Sequence, residues 1–159
     1  DYGSKVAFQD AAHIGEFLVV DNDVGVMASG FKRTVDALRA LGKNVVVIAP
    51  PPAGGFNIAR CVERLERRLP TIGVSNECRI SVDSYQKNRR QVLELIGVLS
   101  QYADVNVIDF SDYLCDDRFC RTYIDGTFIY RDEGHFSHEG SALLAKKMDL
   151  FRRIIQVAH

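Results

Sequence analysis

Net charge is the first thing this sequence has little of. Lysine and arginine (20) nearly balance aspartate and glutamate (21) over 159 residues, which leaves a formal charge of −1. So even a balance gives no general attraction to polyphosphate, and nucleic acid is not an expected partner. Long apolar runs are lacking as well. The longest, residues 45–52, falls far short of the roughly 20 residues needed to span a bilayer, and no basic segment leads into an apolar stretch at the start of the chain. A soluble domain is predicted. There is no Cys-x-x-Cys and no pair of histidines at ligand spacing, so zinc is disfavoured and neither metal nor cofactor is expected. No glycine-rich turn follows a predicted strand, which argues against a nucleotide-binding α/β domain. Internal repeats and low-complexity linkers are absent too.

What is present is enough apolar material for a core. With 47% apolar residues, a chain of this size can bury roughly 68–70% of its unfolded surface without help from metal or disulfide. Residues 1–159 read as a single domain. Four cysteines, Cys61, Cys78, Cys115 and Cys120, allow three complete pairings. Cys115 and Cys120 bracket a polar loop that can fold back on itself, and the favoured pairing joins them and joins Cys61 to Cys78. That pairing would place the domain in an oxidising compartment such as a periplasm. The alternative is four unrelated core thiols in a cytosolic protein.

The patterning alternates helix and strand. Phe17 to Val20 form a short apolar run followed by a turn-rich segment around Asp21, Asn22 and Asp23. Ser29 is the expected cap of a helix carrying Phe31, Val35, Leu38 and Leu41, which Gly42 ends. The β-branched run 45–49 reads as a strand buried on both faces of a parallel sheet, stopped by Pro50, Pro51 and Pro52. Asn57 caps a second helix with Ile58, Cys61, Val62, Leu65 and Leu69 inward and a charged outer face at residues 63–68. A third helix is predicted from Ser81 or Asp83 to Tyr102, with Tyr85, Val92, Ile96, Leu99 and Ala103 on one stripe. Residues 105–108 give the next strand. This rhythm predicts a three-layer α/β domain with a parallel sheet and helices on both faces. Residues 121–130 then read as a hairpin turned by Asp125-Gly126. Ser137 caps the last helix, whose stripe is Leu144, Met148, Phe151 and Ile155.

The sharpest chemical signal is the segment from Tyr130 to Ser141, which lies between a strand and a helix N-terminus. An Asp three residues before a His in a tight turn can place its carboxylate on the imidazole Nδ1, which fixes the tautomer and leaves Nε2 as a base. Asp132 would orient and His135 would take the proton. Ser4 has no apolar strand before it, whereas Ser111 follows one, residues 105–108. Asn22 and Asn57 are better explained by a turn and a helix cap than by an oxyanion hole, which stays unassigned. His13, His138 and His159 have no telling neighbours.

The block Tyr130-Arg-Asp-x-x-His-Phe-Ser-x-x-Gly-Ser resembles the last conserved block of SGNH-type esterases and acyltransferases. The run 17–20, the helix through Arg33 to Leu38, the strand ending in Pro50, Gly55 to Cys61, and the Cys115 to Cys120 loop are similar to the periplasmic SGNH domain fused behind the membrane domain of bacterial acyltransferase-3 proteins. The resemblance spans roughly residues 17–150. It implies a three-layer, flavodoxin-like SGNH-hydrolase fold and a Ser-His-Asp triad. It also implies acyl transfer, commonly O-acetylation, from an acyl donor to a cell-surface glycan such as lipopolysaccharide, in the periplasmic part of an inner-membrane protein. One departure stands out. The family's nucleophile lies in a Gly-Asp-Ser block after the first parallel strand, and no Gly-Asp-Ser occurs in these 159 residues; against that pattern Ser4 lacks the strand and Ser111 follows the last core strand, so the resemblance makes neither of them the nucleophile. The chain therefore resembles the C-terminal two-thirds of such a domain, with Asp132 and His135 present and an N-terminal fragment carrying Gly-Asp-Ser expected as a partner. The competing expectation is a non-catalytic glycan- or protein-binding α/β module in which Asp132 and His135 only shape the start of a helix.

Overall fold

The computed structural model describes residues 6–8, 18–20, 24–71, 77–101 and 105–158. Ser4, His13, the 21–23 turn, Ala103 and His159 lie outside them. Two short strands, β1 (Val6–Phe8) and β2 (Leu18–Val20), pair antiparallel, with Val6 opposite Val20. Of the apolar run, Leu18–Val20 thus join a local ribbon and not the parallel sheet; β1 is only three residues long, too short to show a period of two. Helix α1 (Val24–Ala40) begins well before Ser29, so that serine lies inside the helix and caps nothing. Its end is a Schellman turn: Gly42, at φ +70°, donates its amide to the Arg39 carbonyl, and Lys43 to that of Leu38.

Strand β3 (Val46–Ile48) pairs parallel with β5 (Asn106–Ile108), residue for residue, and Ala49 extends the ladder by donating to the Ile108 carbonyl. Among the described residues this is the only parallel pair, and each of its strands has one partner. Burial on both faces is not realised: Ile48 is 49% exposed. The other pairings, β4 (Ile80–Ser81) with β6 (Phe119–Cys120) and β7 (Tyr123–Ile124) with β8 (Thr127–Phe128), are antiparallel. The architecture is a helix-rich α/β fold with small parallel and antiparallel sheets.

Capping chemistry starts the helices where polar side chains permit. Asn57 Oδ1 accepts from the Arg60 amide at the start of α2 (Ile58–Glu66), and Ser81 Oγ accepts from Ser84 at the start of α3 (Val82–Asn88). The long third helix expected from the sequence is two. Arg89, at φ −112° and ψ 14°, breaks it into α3 and α4 (Arg90–Ser100). The last helix divides likewise into α6 (His138–Lys147) and α7 (Leu150–Ala158), because Asp149 adopts φ 49°. The break turns the stripe away from the core: Leu144 and Met148 are buried, whereas Phe151 is 78% exposed. Leu38, Leu41, Leu65 and Leu69 are exposed as well, so the buried faces of α1 and α2 are narrower than the apolar pattern implies.

The core gathers Ile58, Ile80, Tyr85, Ile108, Leu114, Ile129 and Leu144 around the β5 end and the hairpin. Two disulfides frame it. Cys61–Cys78 ties α2 to the segment before β4 over a separation of 17 residues, and Cys115–Cys120 closes the turn after the short helix α5 (Ser111–Leu114) over 5. The loop-entropy model gives them about 3 and about 2 kcal/mol, so the longer link constrains the unfolded chain more. In the β7–β8 hairpin, Asp125 (φ 46°) and Gly126 (φ 82°) both sit at positive φ, as a type I′ turn requires.

Helix α6 lies directly on the backbone that leaves β8. A Cβ at Gly140 would collide with the Ile129 carbonyl, and Ile129 is itself fully buried. Gly97, in α4, has nothing within 4 Å of the same position. Gly140→Ala is expected to destabilise the fold by about 1–3 kcal/mol through overpacking against backbone, and Gly97→Ala to stabilise it by up to about 1 kcal/mol through helix propensity. Denaturant titration of the two variants checks both signs.

Candidate active site

The segment joining β8 to α6 is a small loop pinned at both ends. Tyr130 and Phe136 form an antiparallel bridge, and the Arg131 amide donates to the His135 carbonyl at 3.0 Å. Below the bridge, the Ser137 amide donates to the Ile129 carbonyl and its hydroxyl to that of Phe128, at 2.8 and 2.6 Å. The same hydroxyl oxygen accepts from the Gly140 amide at 2.8 Å, so one side chain caps α6 and anchors it to the hairpin. Phe136 packs edge-on against Phe110 and Tyr130, with ring centroids 4.8 and 5.3 Å away. What remains free between these clamps is residues 131–135.

Asp132 organises that stretch. Its Oδ1 accepts from the Gly134 amide, the His135 amide and His135 Nδ1, each at 2.9 Å, and Oδ2 stands 3.0 Å from the same Nδ1. Arg131 Nε adds a looser contact to Oδ2 at 3.3 Å. The Gly134 amide first, then the His135 side chain and the His135 amide, hold the Asp132 carboxyl down to about 2, and together they outweigh the opposing effect of desolvation. An ionised carboxylate can only accept, so the proton in the contact to the ring belongs to Nδ1. In the neutral imidazole, Nε2 then carries the lone pair. The His135 side chain is 70% exposed and Asp132 35%. His135 lines neither the cavity beside α3–α4 nor the one between α2 and the hairpin.

Polar groups gather beneath the loop at the carboxyl end of the parallel pair. Asp109 Oδ1 accepts from the Ser111 amide at 2.8 Å, and the Ser111 side chain lies beside the Tyr85 hydroxyl. Burial pushes the Tyr85 hydroxyl up, with Asp109 adding to it, and burial pushes Tyr130 up much further. Both stay protonated. The Tyr130 hydroxyl has no hydrogen-bond partner among the described residues. Arg89, at the α3–α4 break, donates from Nε to the Pro51 carbonyl at 3.3 Å, and its Nη2 lies 3.0 Å from where a Cβ on Gly134 would stand. The end of β3, the helix break and the Asp132 loop therefore meet at one guanidinium.

A family model for the SGNH domain fused to AT3 domains matches residues 4–149. The chain belongs to this SGNH family. No curated protein and no solved structure matches it. As an SGNH domain associated with acyltransferase-3 proteins, it is a module related to acyl transferases and esterases. No described helix is long and apolar enough to cross a membrane, and no group of three or more potential metal ligands occurs among the described residues.

The structure brings Asp132 and His135 together, and it sets Ser111 beside Tyr85. Asn57 is a helix cap. His138 is 93% exposed beside Glu139, 3.9 Å away. Arg89 and Tyr130 were not singled out as site residues by the sequence; Arg89 sits in what reads as unbroken helix, and its contacts lie 38 and 45 residues away.

Asp132 also makes the loop sensitive to acid. A carboxyl whose folded pKa lies below its unfolded value near 3.9 contributes stability that is fully present above about pH 4 and is lost as pH falls through about 2. The stability difference between this domain and its Asp132→Asn variant should therefore persist from pH 7 to about 4.5 and shrink between about 4 and 2. Urea titrations across that range measure it; a difference that vanishes near pH 6 would contradict the assignment.

Proposed function

We propose that this SGNH domain supplies the base of a Ser-His-Asp acyl-transfer site, with His135 as the base and Asp132 as the group that orients it. The observation that carries the reading is the ionised Asp132 carboxylate 2.9 Å from Nδ1, which leaves the unshared pair on Nε2. A serine hydroxyl at Nε2 gives up its proton there as its Oγ attacks the acyl carbonyl carbon. The tetrahedral intermediate collapses by breaking the bond to the donor's leaving group, which takes the proton from Nε2, and the acyl group stays on the serine as an ester. A sugar hydroxyl then loses its proton to Nε2 and adds to that ester. Collapse returns the proton to the departing serine, and the sugar leaves acylated. Water in place of the sugar gives hydrolysis. Asp132 stays ionised throughout and stabilises the imidazolium formed in each half. In this reading the acyl group is acetyl and the acceptor a cell-surface glycan.

The serine is assigned to a Gly-Asp-Ser segment outside these 159 residues, and residues 1–159 to the C-terminal two-thirds of one catalytic domain. Support comes from the sheet. Parallel sheets are normally covered on both faces and run to several strands, whereas β3 and β5 have one partner each among the described residues and Ile48 is half exposed. A parallel strand added at this sheet would cover that side chain and complete a three-layer, flavodoxin-like arrangement. In this reading the domain lies in the periplasm beside the transmembrane acyltransferase domain, and the two disulfides support the oxidising compartment that this requires.

One observation favours the binding-module reading. The Gly134 and His135 amides alone would justify Asp132 as a turn-forming residue in a protein with no chemistry. Acyl transfer by the full-length protein separates the two. His135→Ala and Asp132→Asn should each lower the rate by about 10⁴, the scale of triad removal, with the fold retained by circular dichroism. A loss of less than about tenfold in His135→Ala would leave the binding module standing.

A further inference from the structure

The break between α3 and α4 does more than bend a helix. It opens a cavity of about 350 Å³ lined by Lys87, Asn88, Arg89, Arg90, Gln91 and Val92, within the size range of small-molecule sites. The lining holds three cations, two side-chain amides and no carboxylate. Arg90 Nε stands 3.9 Å from Glu94 Oε1 with both side chains largely in solvent, so that pair is weak and does not consume the charge. Asn88 Nδ2 donates to the Ser84 carbonyl at 2.7 Å, which fixes the amide and leaves Oδ1 as its accepting end. Arg89 is half-buried and held by the Pro51 carbonyl. Its guanidinium reaches Gly134, the residue before His135. The cavity therefore adjoins the loop that carries the Asp132–His135 pair.

We infer that this cavity is a subsite for the anionic group, a carboxylate or a phosphate, of a substrate that reaches His135. Guanidinium forks match the paired oxygens of both anions, and two cations beside a fixed third give a local positive field. The amides of Asn88 and Gln91 suit sugar hydroxyls next to the anion. The shared chemistry admits two sources, an acidic sugar on the acceptor or the phosphates of an acyl donor. The inference rests on the proposed acyl-transfer role only for what is delivered to His135; anion binding stands or falls separately.

The test is binding of glucose, glucuronic acid and glucose 6-phosphate to the full-length protein at low ionic strength, for wild type, Arg90→Glu and Lys87→Glu. Both substituted residues are exposed, so two independent variants report on a folded protein. Both anionic sugars should bind at least tenfold tighter than glucose, each charge reversal should remove most of that preference, and added salt should weaken it. His135→Ala should keep the preference, so a failed catalytic reading and a failed subsite give different results. Coenzyme A displacing glucuronic acid assigns the anion to the donor, and displacement by an acidic oligosaccharide alone assigns it to the acceptor; either supports the subsite. Equal binding of all three sugars, or a preference that survives both reversals, overturns it.

Discussion

Asp132 Oδ1 accepts three hydrogen bonds inside one turn, and the geometry of the candidate site follows from that crowding. Two of the donors are backbone amides, so the carboxylate is fixed to the loop itself and has little freedom to rotate. The third is the ring of the residue whose amide it already holds. Because donors stabilise the charged form, the carboxyl stays ionised well into acid, and an ionised carboxylate forces the ring proton onto Nδ1. A histidine side chain 70% exposed would otherwise lose rotamer entropy to adopt any one orientation. Here the turn fixes the acid and the acid fixes the base.

The rest of the fold acts on this turn by holding its ends. Tyr130 and Phe136 close it, Ser137 ties it to the hairpin and caps α6, and Gly140 lets that helix rest on the Ile129 backbone. The hairpin is in turn set by its Asp125-Gly126 turn, and the segment feeding it by the Cys115–Cys120 link. A site supported by a cap, a bridge and a disulfide-shaped hairpin is better suited to precise placement of one side chain than a long surface loop would be. Arg89 extends the same frame toward the carboxyl end of β3, through Pro51.

What the sequence made legible is what residues within four positions of each other determine. Asn57, Ser81 and Ser137 are caps because their side-chain oxygens reach an amide three residues on, and Asp125-Gly126 is a turn because both positions need positive φ. The spacing of Asp132 and His135 belongs to the same class. The breaks at Arg89 and Asp149 were not legible, since neither is a glycine or proline and the apolar stripes run on past both. Ser29 misled for a related reason: a serine with an apolar run after it looks like a cap wherever it falls, and α1 begins earlier. The polar cluster of Tyr85, Arg89, Ser111 and Tyr130 is assembled from segments far apart in the chain, beyond the reach of local spacing.

The claim on which the functional account turns is that His135 presents an unprotonated Nε2 with its proton held on Nδ1. Long-range ¹H–¹⁵N correlation spectra of the imidazole, recorded on the full-length protein above the pH at which the ring is neutral, read this tautomer directly. The account predicts a pyrrole-type Nδ1 and a pyridine-type Nε2 in the wild type, with the preference lost in Asp132→Asn. A wild-type spectrum with the proton on Nε2, or one that Asp132→Asn leaves unchanged, would contradict it.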